Sequence, residues 1–173
     1  HSEGRYGEAV DAYSRAIEGE DDAAELHADM ARALFMIGRY EEAVDHMQAA
    51  IAELRDEDED ELQRIYSSKA LYLHCVGLVE ETRGRVDDAR RAYAEALQED
   101  LSYHPAHVRL AELALAEADT ATALNEMRLA AEISPDEAAV LLSYGGLLEA
   151  TGDLAGAEAA FRHLTEVEPH FAL

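Results

Sequence analysis

Lysine, cysteine, tryptophan and proline are rare or missing in this sequence of 173 residues. Lys69 is the only lysine, Cys75 is the only cysteine, and there are no Trp and 3 Pro. A single cysteine excludes an internal disulfide and predicts a small packing residue. So few helix breakers argue against several separate domains. No apolar run approaches the ~18 residues of a membrane helix, so membrane insertion is not expected.

Positive charge is also scarce. The 14 Lys and Arg face 38 Asp and Glu, which gives a formal net charge of −24 at pH 7. Such a surface repels phosphate backbones and acidic lipids, so nucleic acid is not expected as a partner. It suits a protein or peptide partner with basic residues. Adaptation to high salt, or plain solubility, explains the same composition and stays open.

A short pattern recurs five times along the chain. A small residue, usually Gly, is followed by Ala five places later and by a bulky residue four places after that. The copies are 34, 46, 34 and 34 residues apart, so one insertion of 12 residues interrupts a period of 34. A period of this length predicts a stacked array of two-helix units, which is usually a binding surface. The copies are Gly4/Ala9/Tyr13, Gly38/Ala43/Met47, Gly84/Ala89/Tyr93, Ala118/Ala123/Met127 and Gly152/Ala157/Phe161.

Each unit has two apolar stripes at helical spacing, one on either side of the turn. Gly at the turn is expected to supply the positive φ that ends the first helix. Ala at the crossing point lets the two helices approach closely, and the larger residue fills the gap one turn later. In the first full unit the two stripes are His27, Met30, Ala31 and Leu34, then Ala43, Met47, Ala50 and Ile51.

This unit resembles the tetratricopeptide repeat over essentially the whole chain. The small residues Ala31, Gly77, Ala111 and Gly145 match position 8 of the family's 34-residue unit, and Tyr6 and Tyr40 match position 17. The resemblance implies an all-α fold, a right-handed superhelical solenoid. It predicts a single array over 1–173, with a half repeat at 1–19 and repeats at about 24–55, 60–99, 104–133 and 135–168. Ala118 departs from the family pattern because it stands where a turn Gly is usual.

Two local predictions concern helix starts. Ser134-Pro135-Asp136-Glu137 is typical of a capped helix start, with Pro at the first helical position and Glu137 completing a capping box. The insertion carries the acidic run 56–61, followed by Leu62, Ile65 and Tyr66, which extend the apolar stripe of the next helix backwards. One long helix is therefore predicted from about Asp60 to Arg83, and its extra apolar side chains need something to pack on.

No catalytic constellation is present in the sequence. His27 and His107 occupy a position where the family places a large half-buried residue, so core packing is expected. His104 and His107 lack a third zinc ligand nearby in sequence. There is no Gly-rich phosphate loop and no Ser-centred nucleophile motif. The prediction is a protein that is not an enzyme and has no cofactor or metal.

The resemblance further implies a concave groove lined by the first helix of each repeat. Its floor would be apolar and its rims acidic, which suits an amphipathic partner segment. Arg32 is the only cation among the predicted groove residues, so the basic cluster that grips carboxyl-terminal peptides in one class of the family is missing. The predicted partner-binding residues are Glu25, Ala28, Arg32, Phe35, Met36, His74, Leu78, Glu81, Val108, Glu112, Leu115, Leu142 and Glu149.

Two functions follow from this pattern. The first is a non-catalytic adaptor that binds a peptide or helix of a partner in the groove. The alternative is a self-assembly module, a homo-oligomer that stacks through open array ends at Phe161 and Leu164. Low cysteine content fits the cytoplasm. A periplasmic location stays open, because the sequence begins inside a repeat and a leader could have been removed.

Overall fold

The computed structural model describes residues 2–20, 23–54 and 59–171, and the side chains of these residues except 2–4, 59–68 and 171. Over these residues the chain is all-α, as predicted, and contains no strand. It divides into two compact units, His1–Leu101 and Ser102–Leu173. Unit 1 contains the helices α1 Ser2–Ile17, α2 Ala24–Met36, α3 Tyr40–Glu53, α4 Glu59–Thr82 and α5 Val86–Glu99. Unit 2 contains α6 His104–Ala116, α7 Thr120–Ile133, α8 Ala138–Thr151, α9 Leu154–Val167 and the 3₁₀ turn Pro169–Phe171.

Within each unit, helices that follow one another in sequence pack side by side. In unit 1, α1 packs on α2, α2 on α3, α3 on α4 and α4 on α5. In unit 2, α6 packs on α7, α7 on α8 and α8 on α9. Each repeat thus forms an antiparallel helix pair, because a turn of only a few residues brings the second helix back along the first.

The turn inside each pair has the geometry that the repeated glycine predicts. Gly38, Gly84 and Gly152 have φ angles of +78°, +75° and +89°, and Ala118 adopts +61° at the equivalent place. In the first turn, the amide of Arg39 donates to the carbonyl of Leu34 at 3.0 Å. The amide of Gly38 donates to the carbonyl of Phe35, also at 3.0 Å. This is a Schellman ending, which satisfies the last carbonyls of α2.

The core of each unit forms where alanines let these helices approach closely. Ala43, Ala89, Ala123 and Ala157 are 0–4% exposed, as expected for residues at a helix crossing. One cluster in unit 1 joins α2, α3, α4 and α5 around Met47. A second cluster joins α1 to α2 through Val10 and Leu34. In unit 2, Met127 lies at the centre of the corresponding cluster.

The predicted start of α8 is wrong. The helix begins at Ala138, and no side chain caps it. The amide of Glu137 instead donates to the carbonyl of Ser134 at 3.2 Å, so Pro135 occupies the second position of a β-turn, where its fixed φ is favourable. The hydroxyl of Ser134 lies 2.8 Å from Nδ1 of His104 and is therefore not used as a cap.

The predicted long helix is confirmed, because α4 runs from Glu59 to Thr82. The side chains of Leu62, Ile65 and Tyr66, for which packing partners were predicted, lie outside the described side chains, and so do those of the acidic run 56–61. Helix α1 begins at Ser2, so Gly4, which occupies the turn position of the repeated pattern, lies inside the helix.

Candidate functional site

Unit 1 contains a hollow of about 560 Å³ between α1, α2 and α4. Four predicted partner-binding residues, Arg32, Phe35, Met36 and Leu78, line it. The first three lie on one face of α2 because they are three and four residues apart. The other lining residues are Tyr6, Ala9 and Tyr13 of α1, Asp29, Ala31 and Ala33 of α2, Met47 of α3, and Cys75 and Val79 of α4.

The walls of this hollow are mostly apolar. Met36 is 52% exposed and Leu78 is 36% exposed, although both are large hydrophobic residues. Phe35 is half-buried and packs against Tyr40, with ring centroids 5.4 Å apart. Covering apolar surface that is in contact with water is favourable, and it stabilises a complex by about 25 cal/mol per Å². A hollow of this kind is therefore suited to receive apolar side chains.

The polar groups of the hollow are already paired. The carboxylate of Asp29 forms an ion pair with Arg32 and accepts a long hydrogen bond, 3.5 Å, from the hydroxyl of Tyr13. Glu25, one turn earlier on α2, is exposed. Burial, together with Glu25 and Asp29, raises the pKa of the Tyr72 hydroxyl, so this group stays neutral. The local charge is thus weakly negative, with one cation that is neutralised by its neighbour.

The thiol of Cys75 also faces this hollow. Burial raises the pKa of Cys75, and Arg32 opposes this shift. The protonated thiol is a weak nucleophile and behaves as a small apolar wall residue.

Three other predicted residues of unit 1 lie elsewhere. Ala28 is 8% exposed and belongs to the core cluster around Met47. His74 stacks obliquely on Tyr93 of α5, with ring centroids 5.3 Å apart. The hydroxyl of Tyr93 donates to the carboxylate of Glu81. The side chains of His74 and Glu81 therefore contact α5, and neither lines the hollow.

In unit 2, too, some of the predicted residues pack against the core and others are exposed. Val108 is half-buried against the core cluster around Met127. Leu115 and Leu142 are 42% and 47% exposed. Glu112 pairs with Arg109 on its own helix, and Glu149 is exposed. A groove shared by all thirteen predicted residues stays a prediction.

A second hollow, of about 500 Å³, lies at the turns of unit 1 and is lined by arginines and glutamates. The guanidinium of Arg83 donates to Glu80 and to Glu41, each at 2.9 Å. Arg39 is bound to Glu42 in the same hollow. Because its arginines are already neutralised, this hollow offers little attraction to an anion. The contact from Arg83 to Glu41 spans 42 residues of sequence, and no local pattern indicated it.

The two histidines that were expected to pack in the core make polar contacts. Nδ1 of His107 lies 2.7 Å from a carboxylate oxygen of Glu126. Nδ1 of His27 lies 2.8 Å from Nδ1 of His46. In the part of the chain that the structure describes, no three His, Cys, Asp or Glu side chains are placed to hold a metal ion. Over the same residues, no helix combines the length and the apolar character needed to cross a membrane.

Comparison with known proteins gives a consistent result for the fold. Residues 1–67 match the family model described as Tetratricopeptide repeat. No curated protein matches the chain significantly. The crystal structure of MamA superposes with a TM-score of 0.72 at 16% identity, over 99% of this chain and 93% of that one.

Two other solved structures are similar. The C-terminal part of a TPR repeat-containing protein from Cytophaga hutchinsonii gives a TM-score of 0.74 at 12% identity, over 96% of this chain and 61% of that one. YrrB, described as a TPR protein with an unusual peptide-binding site, gives 0.63 at 16% identity, over 98% and 81%. At these identities the likeness shows the fold alone. The family model covers residues 1–67, and the turn geometry and the fold of the chain are similar to those of tetratricopeptide repeat proteins.

Proposed function

We propose that this protein is a non-catalytic adaptor that binds a segment of a partner polypeptide in the hollow of unit 1. Tetratricopeptide repeat proteins generally act as protein-interaction adaptors. The observation that carries the proposal is that Met36 and Leu78, two exposed apolar side chains, face one hollow of about 560 Å³. Exposed apolar residues gathered in one concavity are typical of a binding site.

The hollow favours an amphipathic segment with large apolar side chains on one face. A hollow of this size has room for large apolar side chains, and its Met and Phe walls adapt to their shapes. The net charge of −24 and the exposed Glu25 favour a segment that also carries Lys or Arg. These charges would act mainly on the rate of encounter and on the choice of partner.

The polar groups of the hollow support a binding role better than a catalytic one. The thiol of Cys75 has a raised pKa, and the thiolate is the form that attacks. The carboxylate of Asp29 is paired with Arg32.

The test is selection from a peptide-display library followed by affinity measurement. Selected peptides should be amphipathic and basic, and Met36→Asp or Leu78→Asp should weaken their binding at least tenfold. Leu154→Asp is the matched control, because Leu154 is 66% exposed and lies in unit 2. Affinity that is unchanged in Met36→Asp and Leu78→Asp would show that the hollow is the wrong surface. Failure to select any peptide would count against the adaptor role itself.

Self-assembly through the array ends is the alternative prediction. In this alternative, Phe161 and Leu164 form the stacking contact. Leu164, however, is only 4% exposed within unit 2. A buried leucine has little surface left to offer a second copy, so the structure favours the adaptor. Light scattering over a range of concentrations separates the two, because only self-assembly makes the mass increase.

A further inference from the structure

Two histidines face each other across the α2–α3 pair. Nδ1 of His27 lies 2.8 Å from Nδ1 of His46, and the ring centroids are 5.0 Å apart with an angle of 29° between the ring planes. The side chain of His27 is 12% exposed. Its other nitrogen, Nε2, lies 3.4 Å from a carboxylate oxygen of Glu53, whose second oxygen accepts the amide of Ala23 at 2.9 Å. A polar chain thus joins the start of α2 to the middle and end of α3.

This geometry limits how many protons the pair can hold. A hydrogen bond between two Nδ1 atoms needs one donor and one acceptor, so only one of the two facing nitrogens can carry a proton. A single added proton is tolerated, because either ring can become the charged donor. A second one places two N–H groups and two positive charges against each other, which breaks the contact.

The charges around the pair come from both helices and from the turn between them. Those with an electrostatic effect on His46 are His27 of α2, Glu42 and Asp45 of α3, and Arg39 of the turn. The two carboxylates favour protonation of His46, whereas Arg39 and His27 oppose it. Burial is the largest influence, and with His27 it lowers the pKa of His46 below its usual value.

The sign of the effect on stability follows from this. A histidine with a lowered pKa takes up fewer protons in the folded chain than in the unfolded chain as the pH falls through about 6.5. The contribution of His46 to the stability of the folded chain is therefore fully present above pH 6.5 and is lost progressively below it.

The other repeats carry different pairs at the same spacing of 19 residues. They are Leu73/Ala92, His107/Glu126 and Leu141/Ala160. The apolar pairs do not titrate. In the His107–Glu126 pair a carboxylate faces the ring in place of a second imidazole.

We propose that His27 and His46 form a pH-sensitive contact that loosens the α2–α3 pair in mildly acidic conditions. The hollow of unit 1 takes the largest share of its wall from α2. The inference itself rests on the His27–His46 geometry and is independent of whether that hollow binds a partner.

The experiment measures amide hydrogen-exchange protection of residues 24–53 at pH 7.5 and pH 5.5 in the full chain, with residues 104–133 as the internal reference. Protection in the wild type should fall at the lower pH, by at most about tenfold, because pH 5.5 lies about one unit below the usual pKa of histidine. The variant His27→Leu/His46→Ala copies the Leu73/Ala92 pair and should show no such fall. The variant His46→Glu copies the His107–Glu126 pair and should gain protection at pH 5.5.

Titration of the imidazole nitrogens by NMR gives a second readout that does not depend on the variants. Uptake of two protons in separate steps, the second well below pH 6, supports the proposal. Two imidazoles that titrate independently near pH 6.5 would overturn it. Equal loss of protection in the wild type and in His27→Leu/His46→Ala would overturn it as well.

Discussion

Gly145 lies so close to the ring of Phe161 that a Cβ atom on Gly145 would come within 2.6 Å of the ring carbon Cε1. The residues are 16 positions apart, and the same offset joins a small residue to a large one in every full repeat. Where the large residue is aromatic, as in Gly77/Tyr93 and Gly145/Phe161, the small one is Gly. Where it is methionine, the small one is Ala, as in Ala31/Met47 and Ala111/Met127. The size of one side chain thus determines how much room its partner has.

Gly145→Ala should therefore destabilise the protein, whereas Gly146→Ala should stabilise it. Overpacking against Phe161 costs about 1–3 kcal/mol, which exceeds the roughly 0.5–1 kcal/mol that a helical Gly→Ala change contributes. Nothing lies within 4 Å of the Cβ position of Gly146, so only the favourable effect remains there. Urea denaturation followed by circular dichroism measures both variants. A Gly145→Ala variant as stable as Gly146→Ala would contradict the packing argument.

Features that depend on a few neighbouring residues could be predicted from the sequence. The turn glycines, the crossing alanines and the long helix α4 each follow from local backbone preference and from apolar periodicity. The start of α8 was misjudged because Ser134 has a partner, His104, that lies 30 residues away. A sequence pattern identifies a helix cap from neighbouring residues only. It therefore takes no account of a competing hydrogen bond to a distant residue.

The candidate site was predictable only in part, for a related reason. The resemblance to the repeat family placed Arg32, Phe35 and Met36 in the groove, and the structure brings them together in the hollow. It could not show that His74 contacts Tyr93 or that Val108 lies against the core, because both depend on how far the next helix covers the face. The ion pairs of Arg83 and the His27–His46 contact likewise join residues that are distant in sequence.

Ala118→Gly should stabilise the protein. Ala118 ends α6 with a φ of +61°, a conformation that costs an L-residue about 1–2 kcal/mol and costs Gly almost nothing. The greater freedom of Gly in the unfolded chain offsets part of this, so a net gain of about 0.5–1 kcal/mol is expected. Gly152→Ala makes the reverse change in the same unit at φ +89° and should lose a similar amount. Thermal denaturation tests the pair, and a stability change of the same sign in both variants would refute the argument.

Arg83→Met should destabilise unit 1 more than the loss of an ordinary surface ion pair does. The side chains of Arg83 and Glu80 are 11% and 7% exposed, so removing the guanidinium leaves a buried carboxylate with only the more distant Arg85, at 3.9 Å, as a cation. A cost of about 2–4 kcal/mol is expected, and the double variant Arg83→Met/Glu80→Gln should recover much of it.

Arg91→Met is the matched control for this ion pair. Arg91 pairs with Asp88 where both side chains are largely in water, at 67% and 42% exposure. A change of less than about 0.5 kcal/mol is expected there. Equal destabilisation by Arg83→Met and Arg91→Met, measured by urea denaturation, would show that burial of Glu80 carries no penalty.

Cys75 should report directly on the hollow of unit 1. Because burial raises the pKa of Cys75, less thiolate is present at neutral pH in the folded chain than in the unfolded chain. An aromatic disulfide reagent should therefore react at least several-fold more slowly with the native protein at pH 7.5, and its rate should reach half-maximum at a higher pH than in urea.

Leu78→Ala opens the wall beside the thiol and should shift this midpoint down, whereas the control Leu154→Ala should leave it unchanged. A native midpoint equal to that of the unfolded chain would mean that water already fills the hollow around the thiol. The hollow would then lack the apolar character on which peptide binding depends.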